Sequence, residues 1–132
     1  NEYARLVAIN PADGKVVWEN DEYLPEVASP VVAGGLLFIG TSYGMLVCYD
    51  AKSGEKLWEH DSGAGYYASP VVADNKLFAM DMNGKMQIFA LSKEKKLLAE
   101  PSMGEKITTT PAFAEGRIYI RGKNTLYCIG NK

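Results

Sequence analysis

The sequence predicts an all-β fold made of repeated four-stranded antiparallel sheets. One stretch of sequence recurs after 40 residues, so that Trp18 and Trp58, or Phe38 and Phe78, occupy equivalent positions. A fixed period of this length indicates a repeat architecture. Each repeat contains four short runs rich in Val, Ile, Phe and Tyr, separated by Gly and Asn/Asp turns, which is typical of antiparallel hairpins. No segment shows sustained helical periodicity.

The repeat that begins at Ala28 shows the four predicted strands in order. Its first two apolar runs, 29–32 and 36–40, flank a Gly-Gly turn, and its third and fourth runs, 45–49 and 55–59, flank a turn that contains Asp and Gly. Because short turns join successive runs, we expect the strands to pair in the order of the chain.

Applied to the whole chain, this pattern predicts a single partial domain, 1–132. Residues 1–27 supply the last two strands of one sheet, 28–67 and 68–108 each supply a whole sheet, and 109–132 supply the first three strands of another. An isolated four-stranded sheet leaves apolar faces bare, and stacking copies around an axis buries them. The predicted architecture is therefore a β-propeller, of which this chain contains about three and a quarter blades.

Closed propellers have about four to eight blades. We therefore expect the chain to be the C-terminal part of a larger ring. Its open blade edges are expected to pair with a second copy, giving a homo-oligomer, because unpaired strand edges template pairing with another chain.

Charge and hydropathy exclude two classes of partner. The net charge is −2 and the isoelectric point is about 5.4, so the sequence lacks the basic footprint of a nucleic-acid-binding domain. No apolar run approaches the length that a membrane span requires.

Two segments, AINPADGKVVW at 8–18 and CYDAKSGEKLW at 48–58, resemble the tryptophan-docking motif of the PQQ-like β-propeller repeats. That motif contains a small residue, an Asp, a Gly and a Trp at fixed spacing. The positions that correspond to it in the first segment are Ala8, Asn10, Gly14 and Trp18, with Asn in place of Asp. Those in the second segment are Cys48, Asp50, Gly54 and Trp58, with Cys in place of the small residue.

The resemblance implies an architectural role for both tryptophans. In the family, the indole of one blade packs between a glycine peptide and a small side chain of the neighbouring blade. A third copy of the segment departs from the motif and has Leu98 at the tryptophan position. We therefore expect a looser junction at Leu98.

The same repeats also build quinone-dependent dehydrogenases, but this sequence lacks their chemical residues. The resemblance implies that such an enzyme needs a Ca²⁺ site, a catalytic Asp and a disulfide between adjacent cysteines. Cys48 and Cys128 occupy equivalent positions two blades apart, too far for a disulfide, and both are expected to be small buried hydrophobes. No Asp/Glu/Asn cluster has metal-loop spacing. We predict no catalytic residues, no cofactor and no metal.

His60 is the single histidine of the chain, and it follows the predicted fourth strand of its repeat between Glu59 and Asp61. Nothing at a defined spacing supplies a nucleophile or a second metal ligand. We therefore predict a solvated loop histidine rather than a ligand or a base.

The candidate binding face is the end of the propeller at which the second and third strands of each blade connect and successive blades join. Exposed tyrosines on such a face suit contacts with peptides or glycans. An alternative is that Tyr66 and Tyr67 only pack between blades. The candidate residues are Tyr23, Tyr43, Tyr66, Tyr67, Asp81 and Arg121.

Two functional classes follow from these observations. The first is a non-enzymatic scaffold that binds a protein, or a glycan, in the bacterial cell envelope. The alternative is a piece of a quinoprotein dehydrogenase, or of a propeller attached to a catalytic or kinase-like domain. A periplasmic or otherwise extracytoplasmic location is implied by the family resemblance alone.

Overall fold

The computed structural model of the chain describes residues 4–131, which form four antiparallel sheets in the order of the chain. The first sheet contains β1 (Leu6–Ile9) and β2 (Val16–Asn20). The second contains β3 (Val31–Ala33), β4 (Leu36–Gly40), β5 (Met45–Asp50) and β6 (Lys56–Asp61). The third contains β7 (Val71–Ala73), β8 (Lys76–Met80), β9 (Met86–Ala90) and β10 (Leu97–Ala99). The fourth contains β11 (Ala112–Ala114), β12 (Arg117–Arg121) and β13 (Leu126–Ile129).

The prediction of an all-β chain with four-stranded antiparallel sheets is confirmed. The predicted domain limits, 1–27 at one end and 109–132 at the other, include residues 1–3 and residue 132, which lie outside the described residues.

The turn between the last two strands has the same construction in the first and second sheets. Ala8 pairs with Trp18, and Cys48 pairs with Trp58, and in both sheets the register shifts immediately afterwards. Asp50 Oδ1 then accepts hydrogen bonds from the backbone N–H groups two and three residues on. An Asx side chain that binds its own turn in this way explains why Asn or Asp recurs at this position.

Apolar clusters fill the junctions between neighbouring sheets, and β4 shows how the strand period divides its side chains between them. Leu36 and Phe38 belong to the cluster between the second and third sheets. Leu37 and Ile39 belong to the cluster between the first and second. Because successive side chains of a strand point to opposite faces, a strand of the second sheet is buried on both sides, and all five residues of β4 are buried.

The two tryptophans contact the sheet that follows their own. Trp18 Nε1 donates a hydrogen bond of 2.9 Å to the carbonyl of Ala51, and its ring lies against the Gly54 peptide. Trp58 Nε1 donates to the carbonyl of Ser92 at 3.1 Å, and its ring stacks on Phe89 at 5.0 Å between centroids. Each indole thus spans one junction between sheets.

Hydrogen bonds also link the segments that directly precede the first strands of neighbouring sheets. The Ser29 N–H donates to Ser69 Oγ at 2.8 Å, and the Ser69 N–H donates to Thr110 Oγ1 at 2.9 Å. All three residues precede a proline and occupy equivalent repeat positions. A hydroxyl at this position therefore satisfies a backbone donor of the preceding sheet.

The prediction that His60 is a solvated loop residue is wrong. His60 lies within β6, where it pairs with Leu46, and its side chain is only 12% exposed. Its ring stands edge-on to Phe89 at 5.3 Å between centroids, and neither ring nitrogen has a hydrogen-bond partner. The error arose because β6 continues to Asp61, two residues further than the apolar run indicates.

The prediction for the two cysteines is half right. Both are free, and Cys48 is buried, but Cys128 is exposed. Cys128 lies in β13, which among the described residues pairs only with β12. Cys48 lies in β5, which has a neighbouring strand on each side and a sheet on each face.

Replacing Gly54 by Ala should destabilise the protein more than replacing Gly14 by Ala. Their φ angles are +76° and +71°, in a region that costs an L-residue about 1–2 kcal/mol. A Cβ on Gly54 would also lie 2.5 Å from Cδ2 of Trp18, whereas a Cβ on Gly14 would meet nothing within 4 Å. We expect the additional loss at Gly54 to be about 1–3 kcal/mol, as for other overpacked sites. Urea denaturation of both variants measures the difference, and equal losses would contradict it.

The burial of His60 predicts a stability that depends on pH. Burial lowers the pKa of His60 below its ordinary value, and the Lys95 charge lowers it further, against a smaller opposite effect of Glu100 and Asp61. The unfolded chain therefore takes up this proton at a higher pH than the folded chain does. The stability associated with neutral His60 is thus present above about pH 6.5 and is lost as the pH falls towards the folded-state pKa.

The measurement is the urea midpoint of the wild type and of His60→Leu at pH 7.5 and pH 5.5. Both proteins contain the same carboxyl groups, so the difference between their pH dependences isolates the histidine. We expect the wild-type midpoint to fall more than the midpoint of the variant. A parallel fall in both proteins would mean that the imidazole is hydrated in the folded state.

Candidate functional site

Turns and connections gather at one end of the strands and form a surface that we call the loop face. Alternate connections of an antiparallel sheet lie at the same end, so this end collects one turn from each of the last three sheets and the segments that join successive sheets. The loop face consists of the turns 41–44, 81–85 and 122–125 and the connections 21–30, 62–70 and 100–111.

Backbone hydrogen bonds join these loops across the junctions between sheets. The Tyr66 N–H donates to the carbonyl of Thr41 at 2.9 Å, and the Met82 N–H donates to the carbonyl of Gly65 at 2.8 Å. The Ile107 N–H then donates to the carbonyl of Met82 at 3.3 Å. A continuous chain of contacts therefore runs from the second sheet to the connection that precedes the fourth.

Glycines permit the close approach on which this chain of contacts depends. A Cβ on Gly65 would lie 1.9 Å from the carbonyl oxygen of Ser42, and a Cβ on Gly84 would lie 1.9 Å from that of Glu105. No side chain can occupy that space, so the loops require glycine at both positions.

A carboxylate takes over this anchoring role at the fourth sheet. Glu105 Oε1 accepts a hydrogen bond of 2.8 Å from the Lys123 N–H, and Glu105 Oε2 accepts one from the Tyr127 hydroxyl. The Tyr127 hydroxyl, followed by the Lys123 N–H, lowers the pKa of the Glu105 carboxyl. The turn between β12 and β13 is thus attached to the preceding connection through a side chain.

Three of the predicted binding-face residues are exposed on the loop face. Tyr43, in the turn between β4 and β5, is 58% exposed, and Tyr67, in the connection from β6 to β7, is 41% exposed. Arg121 is exposed at the end of β12. Because Thr41 and Tyr66 are hydrogen-bonded to each other, Tyr43 and Tyr67 lie in two loops that are attached to one another.

Tyr23 is half-buried and already has partners within the chain. Its hydroxyl donates a hydrogen bond of 2.6 Å to Glu59 Oε2, and Lys56 Nζ lies 5.1 Å from its ring centroid. This hydrogen bond raises the pKa of the Tyr23 phenol. The tyrosine thus helps to attach the connection 21–30 to β6.

Tyr66 and Asp81 do not belong to an exposed binding surface, and this part of the predicted face needs correction. Both are buried, at 1% exposure. The Tyr66 hydroxyl donates to Gln87 Oε1 at 2.8 Å, and Gln87 Nε2 donates to Asp81 Oδ2 at 3.1 Å. Buried polar groups need such partners. These side chains therefore hold the loops together beneath the loop face.

The other predicted site residues are those of the tryptophan segments. The structure brings Trp18 and Gly54 into contact and pairs Ala8 with Trp18 and Cys48 with Trp58. It does not bring Gly14 against an indole, because nothing lies within 4 Å of a Cβ built there.

A groove next to Arg121 contains two cations that the sequence alone did not single out. It has a volume of about 410 Å³. Lys123 follows Arg121 by two residues, whereas Lys106 comes from the connection 100–111, so its proximity to the other two cations has no signal in the local sequence. We call this feature the basic groove, and its lining residues are Lys106, Thr108, Thr109, Arg121, Gly122 and Lys123.

Among residues 4–131, no group of three or more His, Cys, Asp or Glu side chains is arranged to hold a metal ion. The described part of the chain also contains no helix of the length and apolarity needed to cross a bilayer.

Comparison with known proteins identifies the repeat. The family model PQQ_2, described as outer membrane protein assembly factor BamB, matches residues 2–99, and the resemblance to PQQ-like repeats is thereby confirmed. No curated protein matches the sequence.

Three similar solved structures share 15% sequence identity with the chain. BamB from Moraxella catarrhalis aligns over 96% of this chain and 39% of its own, with a TM-score of 0.73 and 15% identity. A europium-containing methanol dehydrogenase aligns over 74% of this chain and 21% of its own, with a TM-score of 0.61. The computationally designed protein Ika8 aligns over 89% and 37%, with a TM-score of 0.71.

At this level of identity the structural matches establish the β-propeller fold alone. The chain spans about two fifths or less of each of these proteins.

Proposed function

We propose that this chain, which belongs to the PQQ_2 family described as outer membrane protein assembly factor BamB, is part of a non-catalytic β-propeller scaffold that binds a protein partner through the loop face. The observation that carries the proposal is the pair of exposed tyrosines, Tyr43 and Tyr67, on loops fixed to each other by backbone hydrogen bonds.

The loops are already ordered in the folded chain, so a partner can bind them without a further loss of loop conformational entropy. Association otherwise costs free energy for every loop and side chain that it immobilises. Tyrosine offers a large contact area with few rotatable bonds, and tyrosine and arginine are enriched among the residues that dominate interfaces. Tyr43, Tyr67 and Arg121 together supply this chemistry on the loop face.

The basic groove indicates which kind of partner fits. The chain as a whole has a net charge of −2, yet the groove is lined by Lys106, Lys123 and Arg121 and by no acidic residue. The neighbouring carboxylate of Glu105 is already bound by the Lys123 N–H and the Tyr127 hydroxyl. A partner segment that presents Asp or Glu side chains next to an apolar or aromatic residue would complement this surface.

The proposed setting is the bacterial cell envelope, on the periplasmic or another extracytoplasmic side. The family description, which names outer membrane protein assembly, supports this setting. The proposed scaffold continues into further blades of the same ring, since each solved relative is more than twice as long as the part that this chain matches.

The proposal that the chain is non-catalytic rests on its chemical groups. Cys48 and Cys128 are both free thiols, one buried and one exposed, and they lie in different sheets. In the described residues, the carboxylates with the strongest hydrogen-bond sets serve turns and loops, as Asp50 and Asp81 do. Asp50 and Asp81 are therefore engaged in structural contacts.

The loop-face proposal predicts where a partner becomes crosslinked. The photoreactive residue p-benzoylphenylalanine would replace Tyr43 or Tyr67, and matched controls would carry it at Lys52 or Lys93, in turns at the opposite end of the strands. After irradiation with an envelope extract from the organism of origin, we expect at least fivefold more of one crosslinked product at 43 and 67 than at 52 and 93.

A charge reversal makes this experiment specific. Arg121→Glu should reduce the crosslinked product about tenfold if an acidic segment occupies the basic groove, whereas Lys93→Glu should leave it unchanged. Equal crosslinking at all four positions would contradict the proposal. A product that glycosidase treatment returns to the mobility of the uncrosslinked chain would assign a glycan instead of a protein.

A separate prediction concerns catalysis. Titration of the chain with pyrroloquinoline quinone and either Ca²⁺ or Eu³⁺ should give no stoichiometric change in absorbance and no dye-linked oxidation of methanol. The europium arm follows from the structural likeness to a europium-containing dehydrogenase. Uptake of one quinone per chain, with turnover, would overturn the non-catalytic part of the proposal and leave the crosslinking result to stand independently.

A further inference from the structure

His60 is a buried base that the proposed function does not use. Its side chain is 12% exposed, its ring lies edge-on to Phe89, and both of its nitrogens lack a hydrogen-bond partner. A protonated imidazole in this place would be a buried cation, and a buried charge is costly unless an opposite charge pairs with it. The charged groups around His60 therefore decide how the chain responds when the imidazole takes up a proton.

The carboxylates next to His60 in β6 already have other partners. Glu59 accepts a hydrogen bond of 2.6 Å from the Tyr23 hydroxyl, and Asp61 accepts one of 2.9 Å from the Gly63 N–H. Successive side chains of a strand also point to opposite faces. Neither of these carboxylates is therefore placed to pair directly with the imidazole.

Glu100, which directly follows β10, faces His60 across the junction between the second and third sheets. Its Oε2 lies 3.9 Å from His60 Nε2, and its Oε1 lies 3.6 Å from Lys85 Nζ. Both distances exceed that of a hydrogen bond. The ion pair with Lys85 is also weak, because about a third or more of each side chain is exposed to water. The carboxylate thus lies between two groups and is held tightly by neither.

The other charges near the imidazole oppose its protonation. Burial lowers the pKa of His60 most, and the charges of Lys95 and Lys85 lower it further, whereas Glu100 and Asp61 raise it. Lys95 lies in the turn between β9 and β10, and Lys85 in the turn between β8 and β9. A proton on the imidazole is therefore stabilised when a carboxylate moves closer. Glu100 has to move by only about 1 Å to form a charge-assisted hydrogen bond.

The backbone next to Glu100 is fixed, so this movement involves the side chain alone. The Pro101 carbonyl accepts a hydrogen bond of 2.8 Å from the Met86 N–H, and Ser102 pairs with Lys85 in an isolated β-bridge. These contacts attach the segment after β10 to the turn between β8 and β9. A rotation of the glutamate side chain towards the imidazole consequently separates it from Lys85 without moving either backbone segment.

We propose that Glu100 is a proton-controlled link between the second and third sheets. It neutralises Lys85 while the His60 imidazole is neutral, and it turns to His60 when the imidazole takes up a proton. This exchange ties β6 to the connection 100–111 and leaves Lys85 as a free cation at the edge of the loop face. The inference goes beyond the proposed function, since it concerns the response of the chain itself to pH and holds with or without a partner.

The first test follows the imidazole directly. His60 is the single histidine of the chain, so NMR of the isotope-labelled protein between pH 8 and pH 5 reports one titration. Glu100→Gln removes the charge, and Glu100→Asp keeps the charge but shortens the side chain. We expect either change to lower the pKa of His60 by about 0.5 or more, which is an about threefold weaker affinity for the proton. The matched control Glu94→Gln, in the exposed turn between β9 and β10, should change it by less than about 0.2.

The second test follows the two groups that exchange partners. In the wild type, the NMR signals of the Glu100 carboxyl carbon and of the Lys85 ε-carbon should shift with the same midpoint as the imidazole. His60→Leu should abolish this shared step. Circular dichroism at each pH would verify that all variants remain folded.

Equal effects of Glu100→Gln and Glu94→Gln would overturn the proposal. A wild-type imidazole pKa in Glu100→Asp would also overturn it, because the effect would then come from a distant charge and not from contact. The same conclusion follows if the Lys85 signal titrates alike in His60→Leu and in the wild type, or if the chain unfolds before His60 takes up a proton. The loop-face crosslinking experiment is independent of these outcomes.

Discussion

The packing of each sheet against its neighbours is the constraint on which the remaining structure depends. A four-stranded sheet has two apolar faces, and neither is buried by the sheet itself, so stability comes from the junctions between sheets. Trp18 lies so close to Gly54 that even one methyl group there would displace it, and its N–H satisfies a carbonyl of the same turn. Trp18 therefore fixes the position of the hairpin β1–β2 relative to the turn between β5 and β6 of the next sheet.

A second set of contacts acts at the loop end of the strands and explains how a surface can be built on such a stack. The hydrogen bonds from Tyr66 to Thr41 and from Met82 to Gly65 join loops that belong to different sheets. Beneath them, Tyr66, Gln87 and Asp81 form a buried polar chain, in which burial raises the pKa of the Tyr66 phenol and keeps it a donor. The loops that display Tyr43 and Tyr67 are thus positioned by the same junctions that stabilise the fold.

The features that the sequence predicted well are those that depend on a strand and its immediate turn. The strands, their order and the Asx turn at Asp50 all follow from local pattern and from the 40-residue period. The errors have other causes. β6 extends beyond its apolar run and places His60 against Phe89 of the next sheet, Tyr66 and Asp81 are buried by contacts between sheets, and β13 pairs only with β12 among the described residues, which leaves Cys128 exposed. The basic groove was missed because Lys106 comes close to Arg121 and Lys123 only after two loops from separate segments converge.

The departures of the third repeat are concentrated at its junction with the fourth sheet. There Leu98 stands in place of tryptophan and Asn131 in place of leucine, and both are exposed. At the loop end of the same junction, a glutamate side chain replaces a backbone carbonyl as the acceptor that holds the turn. At the junction between the second and third sheets, by contrast, Trp58 and Leu91 pack in one apolar cluster. The two junctions therefore differ chemically although they lie one repeat apart.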